Sequence, residues 1–204
     1  MDFLDYWRCF IGTFIYLQRS FFNGNSVFCF CYNCHNGLQR MEKNNSKKSR
    51  DCLKIVLYGP ESTGKTTLAK ELASYYKTNW VPEFARDYLQ KKWNEKGEVC
   101  SLKDLPIIIN GQNALEKKIL KKSREIIFCD TNIVVTQIWS QTHFNGYCCP
   151  EILKAAKDSN YDLYLLTDID VPWQKDDLRD RPNDREKMLN IFRRVLERYN
   201  FPYK

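Results

Sequence analysis

From residue 53 onward, short unbroken apolar runs alternate with longer stretches in which apolar residues recur every three or four positions. Leu53–Tyr58, centred on Ile55, Val56 and Leu57, reads as a strand buried on both faces. Leu68, Leu72, Tyr75 and Tyr76 then recur at helical spacing and predict a helix over 65–77. Trp80-Val81-Pro82-Glu83 reads as a short second strand ending on a carboxylate, followed by a helix over 84–93 and a polar loop over 94–103. A long helix is expected from 105 to 122, with Pro106 tolerated in its first turn. The run from Glu125 to Asp130 is another buried strand that ends in an acid. Residues 132–143 and 150–158 read as helical, 161–167 as a further strand and 168–183 as a charged loop. Met188, Ile191, Phe192, Val195, Leu196 and Tyr199 mark a last helix over 184–199. Strands alternating with helices imply an α/β fold, a parallel sheet with helices on both faces. Phe201-Pro202-Tyr203-Lys204 opens another strand at the end of the sequence, so the last strand is expected to be cut short or absent.

Residues 1–40 break the pattern. They are dense in aromatic residues and hold Cys9, Cys29, Cys31 and Cys34, with no helical or strand period. The spacing of Cys29, Cys31, Cys34 and His35 invites a zinc reading, but no second ligand pair follows nearby, as a tetrahedral site usually requires. Met41 begins a polar stretch that leads into the first strand. The expected organisation is therefore an aromatic, cysteine-rich extension over 1–40, poorly ordered or upstream of the true start, and a domain over 41–204.

A chain of 204 residues suits one domain with a modest appendage. The net charge of +7 does not form a basic stripe. Lys and Arg are interleaved with acids, as in Glu116-Lys117-Lys118 and Arg185-Glu186-Lys187, so no nucleic-acid partner is expected. An excess of positive charge equally suits polyphosphate ligands. The start carries Asp2 and Asp5 rather than a basic leader, and the apolar stretch from Phe10 to Leu17 is too short to span a bilayer. A cytoplasmic protein with no membrane partner is expected.

The chemistry concentrates after the first strand. Gly59, Gly64, Lys65 and Thr66 fill the pattern G-x-x-x-x-G-K-[ST] between a predicted strand and a predicted helix, the context a phosphate-binding loop requires. The glycines let backbone amides turn inward, and those amides with the helix N-terminus make a cup for anionic phosphate. Gly59, Pro60, Glu61, Ser62, Thr63, Gly64, Lys65, Thr66 and Thr67 are thus the candidate ATP-binding residues. Lys65 is suited to the outer phosphates, and the Thr66 hydroxyl to Mg²⁺. Glu61 is unusual, since an acid inside such a loop repels phosphate. It is expected to turn toward Mg²⁺ waters, a positive side chain or an acceptor.

Asp130, at a strand tip, either helps hold Mg²⁺ with Thr66 or caps the next helix through the run Asp130-Thr131-Asn132. Glu83, at another tip, can take a proton from an attacking hydroxyl, and Arg86 can pair with it or with substrate. Arg179, Arg181 and Arg185 crowd the loop before the last helix, where arginines can neutralise charge on a transferring phosphoryl group. Trp173 in that loop is either a hinge anchor or a platform for a flat ring. Glu61, Glu83, Asp87 and Asp130 together would make an acidic floor.

Gly59–Thr67, Trp80–Tyr88, Asp130–Gln137, and Pro172-Trp173 with Asp177–Pro182 occur together and in order. The set resembles the ribosylnicotinamide kinase domain of the bacterial NAD-biosynthesis regulator family, over about residues 50–200. The resemblance implies a P-loop NTPase fold of the nucleoside and nucleotide kinases, three layers with strand order 2-3-1-4-5. It implies transfer of the ATP γ-phosphate to the 5′-hydroxyl of nicotinamide riboside, with ATP and Mg²⁺ as cofactors and a small nucleoside as partner. On that reading Lys65, Glu83, Asp130, Arg179 and Arg181 are catalytic; Glu83, Arg86, Asp87, Asn132 and Trp173 bind substrate; Thr66 and Asp130 hold the metal. A deoxynucleoside or nucleotide kinase is the nearest alternative, and a nucleotide-gated ATPase interaction module the next. The family's adenylyltransferase needs closely spaced histidines, and this chain has only His35 and His143, so a kinase alone is expected.

Overall fold

The computed structural model of the protein describes residues 52–204. The expectations for the first 40 residues, the cysteine cluster and the Met41 start lie outside the described residues. Within them the element order is β1 (Leu53–Tyr58), α1 (Lys65–Tyr75), β2 (Trp80–Val81), α2 (Phe84–Lys96), α3 (Leu105–Leu120), β3 (Ile126–Asp130), α4 (Ile133–His143), α5 (Pro150–Lys157), β4 (Leu163–Leu166) and α6 (Arg185–Tyr199). Every element expected from the apolar pattern forms. Boundaries move by a few residues, the largest change being α2, which continues to Lys96 and stops at Gly97 in the left-handed region.

The strands are all parallel, in the order β2-β3-β1-β4. Beyond β4, Tyr203 bridges Tyr164 in parallel, with Tyr164 N donating to Pro202 O at 2.9 Å and Lys204 N donating to Tyr164 O at 3.0 Å. The chain's last residues thus occupy the fifth position, which gives the order 2-3-1-4-5.

Side-chain alternation separates the two faces. Val56 and Tyr58 of β1 join Ile127 and Cys129 of β3 in a cluster with Val134 and Ile138 of α4, Ile152 of α5, and Phe192 and Leu196 of α6. The Tyr58 ring packs edge-on against Phe192 at 4.9 Å, and its hydroxyl donates to Phe192 O at 3.1 Å, so this buried polar atom is satisfied. Fully burying a side chain such as Phe192 stabilises by roughly 1.5–3 kcal/mol. On the opposite face, Phe128 lies against Tyr76 at the end of α1 at 5.6 Å. Ile55 is the register partner of Phe128 and shares that face. The result is a three-layer α/β/α arrangement, with β1, β3 and β4 delivering their C-terminal ends to one edge of the sheet. No described helix is long and apolar enough to cross a membrane.

Candidate functional site

Open parallel sheets present ligands at the C-terminal ends of their strands. Here that edge carries the glycine-bracketed loop after β1, Glu83 after β2, Asp130 at the end of β3 and Thr167 after β4.

Backbone conformation shapes the loop. Gly59 has φ 150°, and a Cβ there would lie 2.4 Å from Thr167 Oγ1 and 3.0 Å from Thr167 O. Only glycine lets the loop leave the sheet so close to β4. Thr63, buried beneath, exchanges a 2.7 Å hydrogen bond with the Thr167 hydroxyl and donates to Pro60 O at 3.0 Å. Gly64, with φ 78°, precedes α1, whose first turn has no side-chain cap and no acid. The N-terminal amides of α1 are therefore left to an anion. Ser62 (φ 57°) and Thr131 (φ 70°) also occupy the left-handed region. For a β-branched residue such as Thr131 this costs energy, and the strain sits immediately beside Asp130.

Lys65 opens α1 and folds its ammonium back onto the loop, donating to Pro60 O and, at 3.4 Å, to Thr63 Oγ1. Burial pushes its pKa down, while Glu83, Asp130 and Glu61 pull it back up and Arg179 adds to the depression. Next to it, Thr66 Oγ1 donates to Asp130 Oδ2 at 2.5 Å. Asp130 Oδ1 is buried and has no partner. Burial raises the pKa of Asp130 against the opposing Thr66 hydrogen bond and the charges of Lys65, Lys70 and Arg86. Of the two readings for Asp130, the structure gives the helix cap to Asn132. Its Oδ1 accepts from Val134 N at 3.1 Å and Val135 N at 3.4 Å. Asn132 Nδ2 donates to Tyr164 OH at 3.2 Å, so this residue, 1% exposed, is spent on the fold rather than brought to the cleft.

Glu83 immediately precedes α2. Its pKa is pushed up to about 7, first by burial and then by Asp130, against the charges of Lys65 and Arg86. Asp87, exposed in the first turn of α2, adds to the upward push. Gln112 of α3 holds both flanking peptides, with Phe84 N donating to its Oε1 at 2.8 Å and its Nε2 donating to Pro82 O at 3.3 Å. Gly111 lets α3 come this close, since a Cβ there would meet the Phe84 ring at 2.3 Å.

The 168–184 segment lies against this edge. Glu61 accepts from Trp173 Nε1 at 2.8 Å and from Arg181 N at 3.1 Å. The hydrogen-bond partners of Glu61 are thus two neutral N–H groups of this segment, while its charge is also felt at Lys65. Trp173 is thereby an anchor between segment and loop. Ser62 adds a second tie, its Oγ accepting from Gln174 N at 2.9 Å, while Arg185 donates to Ser62 O at 3.1 Å. Arg86 pairs with Asp176 rather than with Glu83. Arg179 pairs with the same Asp176 at 3.1 Å and donates to Gln174 O at 2.7 Å. Arg181 is turned to protein partners, Thr142 O at 2.9 Å and Asp184 at 3.6 Å.

Lys65, Glu83 and Asp130 are thus brought within electrostatic reach of one another, with Thr66 hydrogen-bonded to Asp130, Arg86 felt at both carboxylates and Arg179 felt at Lys65. Gln112, Thr167 and Asp176 belong to the same edge and were missed by sequence reasoning. Gly111-Gln112 carried a usable signal, a glycine in the interior of a helical pattern. Asp176 carried none, being one acid among several in a charged loop.

A family model described as an AAA domain matches residues 54–204. The trifunctional NAD biosynthesis/regulator protein NadR of Escherichia coli (strain K12) is 26% identical over 151 residues, which cover 73% of this chain and 37% of that protein. The chain therefore spans little more than a third of the length of that relative, to which it is homologous. Among solved structures, NadR protein in complex with NR aligns with TM-score 0.60 at 22% identity, covering 73% of this chain and 41% of that one. NadR protein in complex with NAD and AMP-PNP aligns with TM-score 0.58 at 22% identity, covering 74% and 42%. Thymidylate kinase from Ehrlichia chaffeensis aligns with TM-score 0.53 at 19% identity, covering 76% and 86%. These likenesses show a nucleotide-kinase-like fold.

Proposed function

The chain belongs to the AAA-domain family that its residues 54–204 match, and from that premise we propose that it is an ATP-dependent kinase of nicotinamide riboside. The product is nicotinamide mononucleotide. The observation that carries the reading is the meeting of Lys65 and Thr66 with Glu83 and Asp130 at one sheet edge, a phosphate cup facing a carboxylate whose pKa stands at about 7.

Each side chain has a task in that reaction. The loop amides and Lys65 hold the β- and γ-phosphates of ATP. Glu83, as the carboxylate, accepts the proton of the acceptor's 5′-hydroxyl. The O5′–phosphorus bond forms as the bond from phosphorus to the β-phosphate oxygen breaks, and ADP leaves. Arg179, whose charge is felt at Lys65, offsets negative charge that spreads over the γ-phosphoryl oxygens. A ring with a fixed positive charge suits a site bounded by Glu83 and Asp130. The homology to NadR and the NR bound in one of its structures support nicotinamide riboside as that acceptor.

Thr66 and Asp130 fit Mg²⁺. Asp130 Oδ1 is a buried oxygen without a partner, beside a hydroxyl that can ligate. An ion there would be held by one carboxylate, one hydroxyl, waters and phosphate. Bound there, Mg²⁺ would neutralise phosphate charge. The five described cysteines are free thiols, which suits the cytoplasmic location that the proposal includes.

The thymidylate kinase likeness keeps a nucleotide acceptor as the rival reading. The purified chain with ATP, Mg²⁺ and a panel of nucleosides and nucleotides tests the choice by mass spectrometry. Conversion of nicotinamide riboside to its 5′-phosphate is expected. Turnover of thymidine, deoxyadenosine or thymidylate, with nicotinamide riboside untouched, would reject it.

A further inference from the structure

Two neighbouring carboxylates, Asp176 and Asp177, tie the 168–184 segment to successive turns of α2. Asp177 Oδ2 accepts from Gln90 Nε2 at 2.9 Å, an exposed bond to a neutral group. Asp176 is different. Its Oδ2 takes both Arg86 Nη2 from α2 and Arg179 Nε from its own segment, the latter at 3.1 Å. Its Oδ1 accepts from Leu178 N at 2.9 Å, which fixes the carboxylate plane.

The two arginines it joins act on different charged groups of the site. Arg86 is felt at Glu83 and Asp130, where its charge favours both carboxylates. Arg179 is felt at Lys65. Left alone, two guanidinium groups this close would repel and splay apart. One anion between them offsets the repulsion and sets their spacing. Side-chain exposures of 37% for Arg86, 26% for Asp176 and 22% for Arg179 leave the triad partly shielded from water, so its pairs count for more than an open surface pair. Burial would raise the Asp176 pKa, but the Arg86 bond, the Leu178 amide and both arginine charges together hold it below the ordinary value.

Resting on the proposed kinase reading, we infer that Asp176 is a positioning residue, a carboxylate bridge that locks Arg86 of α2 to Arg179 of the 168–184 segment and so sets where that segment holds Arg179. It touches neither reacting atom. Its effect runs through Arg179, which is held at Nε by Asp176 and at Nη1 by Gln174 O.

The test uses the full chain. Asp176→Asn keeps shape and one acceptor oxygen but removes the shared charge. Its kcat for nicotinamide riboside is expected to fall about 30–100-fold, with KM for ATP changed less than about threefold. Asp176→Glu should recover at least about a tenth of the wild-type kcat, while Asp177→Ala, which breaks the neighbouring tie, should stay within about twofold of wild type. Unfolding temperatures of all three variants should stay close to that of the parent. A kcat for Asp176→Asn within about threefold of wild type, or equal losses in all three variants, would overturn the assignment. If the wild-type chain phosphorylates no nucleoside, the kinase reading fails and Asp176 is judged separately, by tryptic cleavage after Lys175 and Arg179 with ATP present. Cleavage about fivefold faster in Asp176→Asn and unchanged in Asp177→Ala supports the bridge, and equal rates in the three proteins reject it.

Discussion

Thr66 Oγ1 donates to Asp130 Oδ2 at 2.5 Å, and this single bond joins the first turn of α1 to the end of β3. It leaves the second carboxylate oxygen buried and unpartnered. A carboxylate so placed is costly for folding, because its remaining lone pairs face neither water nor a donor. That cost is what the cation-holding role proposed for Asp130 would offset.

Asp130→Asn should separate the two consequences. Burial raises the pKa of Asp130, so its ionised form is less stable folded than unfolded, and that penalty is fully present above the folded pKa. Removing the charge should leave the unfolding temperature unchanged or higher near neutral pH. Phosphoryl transfer should fall by about 10²–10³-fold, a loss of about 2.7–4 kcal/mol. A differential scanning measurement alongside an activity assay checks both. A strongly destabilised variant would mean that Asp130 serves the fold.

Glu83 makes a pH prediction. Its folded pKa is raised to about 7, by burial first, then by Asp130 and Asp87 and against Lys65 and Arg86. A base must be deprotonated, so kcat/KM for the acceptor should rise as pH rises and level off above about 7. Glu83→Gln should lose about 10²-fold or more and with it this rising limb. If the limb survives the substitution, the titrating group is another residue.

The pattern of the chain carried most of the fold because each strand is a short apolar run and each helix after it repeats at helical spacing. The loop from Gly59 to Thr67 was legible because its chemistry is contiguous in sequence. The rest of the site is not contiguous. Arg86 and Asp176 meet across ninety positions, and no local spacing foretells a partner. The apolar pattern alone gave no sign that Asn132, rather than Asp130, would cap α4. That depended on β3 ending at Asp130 and the chain turning through Thr131 at φ 70° before the helix could start. The stretch over 94–103 read as a polar loop, yet Ser101 and Asp104 form a reciprocal cap that starts α3 through a 3₁₀ turn over Leu102–Asp104. Glu61 suggested a cation by its place in a phosphate loop, and nothing local foretold that its hydrogen bonds would go to the indole N–H of Trp173 and the amide of Arg181, more than a hundred positions away.

The glycines of the chain should differ sharply on substitution. At Gly59 a methyl group would meet Thr167 Oγ1 at 2.4 Å and the Thr167 carbonyl oxygen at 3.0 Å, at φ 150°. Gly59→Ala is expected to cost about 2–4 kcal/mol of stability, the sum of backbone strain and overpacking. At Gly97, with φ 65° and nothing within 4 Å, Gly97→Ala should cost only the left-handed backbone term of about 1–2 kcal/mol. Urea titration measures both through the midpoint. Equal shifts would mean that the approach of the loop to β4 is looser than 2.4 Å implies.

The Glu61–Trp173 bond should act as a latch between the phosphate loop and the 168–184 segment. The donor is a neutral indole and the acceptor a carboxylate, at 2.8 Å and with both side chains half-buried. Hydrogen bonds to charged groups contribute about 1.5–3 kcal/mol when well shielded, and partial exposure here reduces that to about 1 kcal/mol. Glu61 also accepts from Arg181 N at 3.1 Å, so replacing Glu61 alone breaks two bonds and cannot report on the indole. A double-mutant cycle of Glu61→Ala and Trp173→Phe isolates the shared term. The expected coupling in unfolding free energy is about 1 kcal/mol, with the Glu61→Ala single loss the larger of the two. Coupling below about 0.3 kcal/mol would show that the indole is held by packing alone and that the latch runs through the backbone of Arg181.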